Sequence, residues 1–167
     1  MSPAAVLLAL LALPPSRLDV GEAPAARRAR LEPVAEAIAA AARSRSEVAI
    51  LLALGKHESA FALLVQMGRC EEMPAGERCD HGLARGPWQL HELACRVAWT
   101  LPAGSAESLR EEAACAIRLL RWNAERGRHH ALTPVHAAFA GYAARGWQWP
   151  GADRRVATAR EIEGRLR

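Results

Sequence analysis

Apolar and polar positions follow a helical period along most of the chain. In the clearest stretch, apolar residues recur three and four positions apart over 47–66, with Ser46 as the expected N-cap. The same spacing, with Pro, Ser or Thr at the expected starts, predicts further helices. They are expected at about 32–43, 87–100, 105–126, 134–146 and from Asp153 onward. Pro33 would lie in the first turn of the first of these, and Thr133 would cap the 134–146 helix. The 105–126 helix would start from Ser105 or Ser108, with Ser108 and Glu111 in capping-box spacing, and the last helix would place Val156, Ile162 and Leu166 inside.

One stretch, residues 67–86, does not read as helix. It carries Gly68, Pro74, Gly76, Gly82 and Gly86, which favour turns, so it predicts a loop or a small β-hairpin. Alanine is abundant over the whole chain, while β-branched and aromatic residues are scarce. The sequence therefore predicts a mainly α fold, and its 167 residues suit one domain with a sizeable core.

The N-terminal region separates from the rest by composition. Residues 4–13 form an apolar run ahead of Pro14, Pro15 and Ser16, with the length of a signal-peptide core and too short to span a bilayer. Residues 1–16 are interpreted as a signal peptide; the alternatives are a helix that packs on the domain or a wrongly chosen start codon. Residues 17–30 read as a linker and 31–167 as the folded domain.

The four cysteines form an even set. In an exported chain they predict two disulfides, with Cys70 and Cys79 as the local pair; Cys95 and Cys115 would then tie two consecutive helices, although sequence alone does not fix the pairing. The sequence contains no Cys-x-x-Cys motif, so the cysteine spacing does not indicate a zinc site. These features predict a periplasmic or extracellular protein without a transmembrane anchor.

The net charge of +4 and a pI near 9.3 suit an anionic partner, or equally a solvated arginine-rich surface. The arginines are scattered and do not form one stripe with aromatics, which argues against nucleic acid. A zincin motif is excluded because Phe61 and Cys95 stand where each second histidine would be needed. His129, His130 and His136 are expected to be solvated, so we predict no metal and no cofactor.

Glu58 is the most informative single residue. It occupies the place in the apolar series of the 47–66 helix where another leucine would be expected. A carboxylate rarely enters a core alone, so either this helix lines a cleft or the charge is paired for structural reasons. A cleft would make Glu58 a carboxylic acid with a raised pKa, suited to acid catalysis near neutral pH.

Three segments accompany this glutamate in order. They are Glu58-Ser59-Ala60-Phe61, then Ala84-Arg85-Gly86-Pro87-Trp88-Gln89, and then Ala138-Phe139-Ala140-Gly141-Tyr142-Ala143-Ala144-Arg145-Gly146. Together they resemble the motifs of the lysozyme-like lytic transglycosylases (the soluble lytic transglycosylase, or SLT, type), over roughly residues 47–146. Pro87-Trp88 replaces the family's Leu-Met, and Ala143 replaces its Asn.

The resemblance implies a lysozyme-like α+β domain that cleaves the MurNAc–GlcNAc β-1,4 bond of peptidoglycan glycan strands. Glu58 would act first as acid and then as base, with Ser59, Gln89, Tyr142 and Trp88 binding substrate or orienting the acid. A monomer is expected.

Two alternatives stay open. A hydrolytic lysozyme would use a second carboxylate, for which Asp80 is the best residue, although an aspartate there is more often a turn former. A non-catalytic lysozyme-like module would bind glycan or another protein. Trp88, Trp147 and Trp149 could stack on sugars, although core packing or surface anchoring is an equal alternative for each of them and is favoured for Trp99 and Trp122.

Overall fold

The computed structural model describes residues 1–73, 79–130, 132–143, 147 and 149–166. Its helices are α1 (Pro3–Ala12), α2 (Pro24–Ala41), α3 (Arg45–Glu58), α4 (Leu63–Gln66), α5 (Arg96–Thr100), α6 (Ala106–Gly127), α7 (Pro134–Tyr142) and α8 (Pro150–Arg165). Short 3-10 turns lie at Arg17–Asp19, Cys70–Glu72, Cys79–Gly82 and Arg128–His130. Two short strands, β1 (Ala84–Arg85) and β2 (Leu90–His91), pair antiparallel with Ala84 opposite His91. The predicted class, mainly helical with a small hairpin, is confirmed.

The core is built around α3, whose Leu51, Leu52 and Leu54 are fully buried. Helix α8 packs along α3, while α6 packs against both α2 and α7. This arrangement leaves the C-terminal end of α3 beside the hairpin and the start of α8, which is where the side chains discussed below converge.

The hairpin lies later than predicted, and the helix predicted over 87–100 is wrong for its first half. Gly86 and Gln89 both have positive φ, 71° and 50°, which reverses the chain between the strands. The turn is fixed by Trp88, whose buried indole Nε1 donates to the carbonyl of Leu51 at 3.1 Å. Helix therefore begins only at Arg96.

The helix predicted over 47–66 is also interrupted. Ala60 and Phe61 take positive φ of 50° and 53°, so α3 ends at Glu58 and α4 starts afresh at Leu63. The Phe61 ring then folds back onto Gly55, where a Cβ would lie 2.3 Å from the ring. The N-cap is Ser44, not Ser46. Apolar spacing missed this break because the spacing continues through it.

The predicted caps of the later helices are correct at two positions and wrong at one. Ser105 caps α6 and Thr133 caps α7, as expected. The capping box of Ser108 with Glu111 is wrong, because Ser108 lies inside α6 and its hydroxyl donates to Glu112 at 2.8 Å. Helix α7 ends at Tyr142, and residues 144–146 lie outside the described part.

Helix α8 begins before Asp153, with Trp149 at the cap position, and Asp153 lies in the first turn. The three apolar residues predicted to face inward are buried, namely Val156, Ile162 and Leu166.

The N-terminal region is ordered in two helices. Helix α1 packs on α2, with Val6 and Leu10 buried, and Arg27 donates to the carbonyls of Leu11 and Leu13 at 3.3 and 2.7 Å. Within the 17–30 segment predicted as a linker, helix α2 already runs from Pro24. The predicted start at about Glu32, with Pro33 in the first turn, is wrong, since both residues lie inside α2. The apolar run is thus a packed helix, and its use as an export signal stays a prediction.

Both expected disulfides are present, Cys70–Cys79 and Cys95–Cys115. The second ties the residue before α5 to α6, while the first closes the loop that contains residues 74–78, outside the described part. Such bonds are typical of proteins in oxidising compartments. Within the described ranges, none of the helices combines the length and apolar content that a membrane span requires.

Candidate functional site

Glu58 is the last residue of α3, and its side chain faces a cleft. Its side chain is 20% exposed and lines two adjoining depressions: a large cleft of about 610 Å³ and a small cleft of about 340 Å³. Gln89, at the end of the hairpin turn, lines both. Both alternatives raised by the sequence hold at once, because this carboxylate faces a cleft and is also paired.

The partner of Glu58 is Arg155 of α8, whose Nη2 donates to Glu58 Oε1 at 2.6 Å. The guanidinium is itself held, stacking over the Trp149 ring at 4.4 Å from its centroid. A guanidinium at this distance forms a charge-assisted hydrogen bond with the carboxylate. The apolar surroundings expected for Glu58 are therefore corrected: a positive charge stands beside it.

Ser59 ties α3 to the hairpin turn. Its hydroxyl donates to the carbonyls of Pro87 at 2.8 Å and Gly55 at 3.2 Å, and it accepts from the backbone N–H of Phe61 at 3.0 Å. These contacts are to the backbone, so Ser59 positions the turn that carries Gln89 beside Glu58. The sequence had expected a direct contact with the carboxylate.

Within the turn, the two side chains predicted to bind substrate have different placements. Trp88 is fully buried, so it cannot present a ring face to a sugar, and its expected stacking role is corrected to core packing. Gln89 is partly exposed in both clefts, and its amide donates to the carbonyl of Gly86 at 3.1 Å. Its remaining donor and acceptor capacity is available to a ligand.

Tyr142, at the end of α7, contacts the turn from the other side. Its hydroxyl donates to the carbonyl of Trp88 at 2.6 Å, and it lines the small cleft. Removal from water, together with the negative charge of Glu58, raises the pKa of Tyr142 well above 10. The phenol therefore stays neutral and positions the turn, whereas the sequence had expected it to hold Glu58.

Asp80 shares the small cleft with Glu58. It has a positive φ of 40°, and its Oδ2 lies 3.3 Å from His91 Nε2 at an exposed position. A second carboxylate is thus brought to the same cleft. Glu71 and Glu72, the other acids of that loop in the described residues, are not among those lining either cleft.

The sequence reasoning missed the residues beneath the turn. Glu112 of α6 is only 1% exposed; its Oε1 accepts from Ser108 at 2.8 Å and lies 3.5 Å from Arg85 Nε. Burial raises the pKa of Glu112 to about 6. A Cβ on Gly86 would lie 1.9 Å from Glu112 Oε2, so the turn rests directly on this carboxylate.

The N-terminal segment forms a wall of the large cleft through residues 14–18. Arg30, 8% exposed, holds the following segment, donating to both oxygens of Glu22 at 2.8 and 2.7 Å and to Asp19 at 3.3 Å. Its Nη1 also donates to the carbonyl of Phe61 at 2.6 Å. The segment predicted as a linker is thus fixed to the break between α3 and α4.

His57, next to Glu58, does not point to metal chemistry. Its Nε2 lies 2.9 Å from Thr158 Oγ1, and burial, together with the positive charges of Arg155, Lys56 and Arg154, lowers the pKa of His57 to about 4. Among the described side chains, no group of three or more His, Cys, Asp or Glu is placed to hold a metal ion.

Comparison with protein-family models, with curated proteins and with solved structures gives no match for this chain.

Proposed function

We propose that this protein cleaves the β-1,4 glycan strands of peptidoglycan as a lysozyme-like lytic transglycosylase, with Glu58 as its single acid and base. The observation that carries the proposal is the position of Glu58, which stands at the junction of two clefts with Gln89 on their shared wall. A long polymer needs an open groove on both sides of the reacting group, and the adjoining clefts supply one.

In this mechanism, protonated Glu58 gives its proton to the glycosidic oxygen as the bond to C1 breaks. The carboxylate then takes the proton from the C6 hydroxyl of the muramyl unit while that oxygen bonds to C1. The product is a 1,6-anhydro end, and Glu58 is protonated again. Before the first step, bound glycan has to displace Arg155 from Oε1, because that oxygen is occupied by the hydrogen bond from the guanidinium.

Asp80 supports a second candidate, a hydrolytic lysozyme. It is a carboxylate in the same small cleft as Glu58. Two carboxylates across a glycosidic bond allow water to be the acceptor in place of the C6 hydroxyl. The products of that reaction carry reducing ends.

The Glu58–Arg155 pair supports a third candidate, a module that binds glycan without cutting it. A carboxylate held at 2.6 Å by a guanidinium stacked on Trp149 is already stabilised in the free protein. Such a pair could serve as a polar wall for a saccharide and need never carry a proton.

Digestion of purified peptidoglycan, with mass spectrometry of the soluble products, separates these candidates. We expect anhydro muropeptides from wild type and from Asp80→Asn, and none from Glu58→Gln. The exposed Glu92→Gln variant is the matched control and should stay active. Reducing ends lost on Asp80→Asn would favour the hydrolase. Absence of products from wild type, with binding retained, would favour the module.

A further inference from the structure

A third depression continues the groove beyond the small cleft. It has a volume of about 240 Å³ and shares Gln89, His91 and Tyr142 with the small cleft. This is below the roughly 300–1,000 Å³ of pockets that enclose a whole ligand. A space of this size, joined to a longer groove, suits one unit of a polymer.

Trp122 of α6 forms part of the wall of this depression, which we call the Trp122 depression. The residue is 55% exposed, although a tryptophan is usually largely buried. One turn further along the helix, the guanidinium of Arg126 lies 4.4 Å from the centroid of the Trp122 ring. This contact restrains the indole and occupies one of its faces, while 55% of the residue stays exposed, so an aromatic surface is held open beside the groove.

A polar residue stands next to this aromatic surface. Asn123, 5% exposed, lines the same depression. It fits there because Gly141 of α7 has no side chain; a Cβ at that position would lie 2.5 Å from Asn123 Oδ1. Its amide can both donate and accept. A pyranose ring offers the matching chemistry, with C–H groups on its face and hydroxyl groups on its edge.

We propose that the Trp122 depression is a distal saccharide subsite, in which the Trp122 indole stacks on one sugar ring of a strand whose scissile bond lies at Glu58. Exposed apolar residues elsewhere, such as Leu93 and Val97, do not line this depression or either cleft. Trp122 differs from them by its continuity with the groove. The inference rests on the proposed glycan-cleaving function and adds a dependence on chain length.

The test measures binding of β-1,4-linked N-acetylglucosamine oligomers to the Glu58→Gln protein by calorimetry, so that no probe is cut. We expect Trp122→Ala to weaken hexamer binding roughly three- to tenfold, the loss of one stacking contact, and to leave dimer binding unchanged. Trp122→Phe should recover most of the affinity. Leu93→Ala, at an exposed residue outside the groove, is the control.

The outcomes are distinct for the two proposals. If the Trp122→Ala protein is folded by circular dichroism and binds the hexamer as tightly as its parent, the subsite is wrong and the proposed function stands. An equal loss for dimer and hexamer would also overturn the distal placement. If no variant binds any oligomer, the proposed function fails and the subsite fails with it.

Discussion

Two carboxylate–arginine pairs flank the hairpin turn, and they differ in their access to water. Glu58 and Arg155 face the clefts, with side chains 20% and 11% exposed. Glu112 and Arg85 lie beneath the turn, and Glu112 is 1% exposed, with its Oε2 lacking a hydrogen-bond partner among the described residues. The two arginines are equally exposed, at 11%, so the difference lies in the carboxylates: Glu58 is open to a ligand in the clefts, whereas Glu112 is buried and supports the turn.

The two acids show that a carboxylate on an apolar helix stripe can stand in different surroundings. A carboxylate on an apolar helix stripe suggested a raised pKa for Glu58. Helix α6 has a comparable apolar stripe, in which Glu112 stands among buried Leu109, Ala113 and Ala116. There, burial raises the pKa of Glu112 to about 6. In α3 the helix ends at Glu58, so this carboxylate lies at the edge of the clefts and is not enclosed by the core.

The largest expected difference between the pairs is in stability. Arg85→Ala leaves Glu112 buried without its cation, so we expect the free energy of unfolding to fall by about 3–5 kcal/mol. Arg155→Ala should cost only about 1–2 kcal/mol, because Glu58 can then be solvated from the cleft. Urea denaturation of both variants measures this. Equal losses would contradict the view that Glu112, unlike Glu58, is closed off from water.

A smaller effect is expected at the turn itself. Gly86→Ala places a methyl group 1.9 Å from Glu112 Oε2 at a φ of +71°, which should cost roughly 2–4 kcal/mol and displace Gln89 from the cleft. Gly82→Ala is the matched control, since its φ is +86° but no atom of the described residues lies within 4 Å of the new Cβ; about 1 kcal/mol is expected. Thermal denaturation compares them. Similar losses of stability in the two variants would show that backbone strain, and not the contact with Glu112, causes the effect of Gly86→Ala.

The inner pair also predicts a pH dependence of stability. The pKa of Glu112 is about 6 in the folded protein, against an ordinary value of 4.5, so between these pH values the folded state holds a proton that the unfolded chain has released. Raising the pH through this window therefore favours unfolding. Wild type should lose about 2 kcal/mol relative to Glu112→Gln between about pH 3.5 and 7, most of it between pH 4.5 and 6.

The comparison with Glu112→Gln is needed because His57 acts in the opposite direction. Its pKa is lowered to about 4, so the unfolded chain binds its proton more readily and stability rises with pH from about 4 to 6.5. That contribution is common to both proteins and cancels in the difference. Chemical denaturation at several pH values gives it directly; a flat difference would argue against a sealed Glu112.

The smallest effect concerns the outer contact of the turn. Ser59→Ala removes the hydrogen bond to the Pro87 carbonyl and should lower the free energy of unfolding by about 1 kcal/mol. Under the proposed function, glycan cleavage should fall by more than this stability change explains, because Gln89 loses its register with Glu58. Unchanged activity in a folded Ser59→Ala protein would show that Tyr142 alone is sufficient to hold the turn.

Much of the fold was predictable because its signals are local. Ser105 and Thr133 predicted the starts of α6 and α7, and the apolar stripe of α8 was predicted correctly. The even cysteine set, with Cys70 and Cys79 as the favoured local pair, led to the two disulfides that are present. The failures lie where a distant contact overrides local preference. The helix predicted from residue 87 gives way to a hairpin because the Trp88 indole is held by the Leu51 carbonyl, 37 residues away.

The site was predictable only in part, for the same reason. Glu58, Gln89 and Tyr142 come from motifs, and the structure brings all three to one small cleft. Arg155 carries no local signal, since an arginine near the start of an amphipathic helix is ordinary, and its role depends on a contact across 97 residues. Glu112, by contrast, could have been found from the sequence, because it is an acidic residue within the apolar stripe of α6.

The buried Arg30 makes the N-terminal segment and the break after α3 a single cooperative unit. One guanidinium bonds Glu22, Asp19 and the Phe61 carbonyl, and Asp19 in turn accepts from the N–H of Leu63 at 3.1 Å. Neither side can open without releasing the other. Amide hydrogens of residues 61–66 should therefore exchange with solvent at a rate set by the N-terminal segment, so that protection near the cleft reports on a region distant from it in sequence.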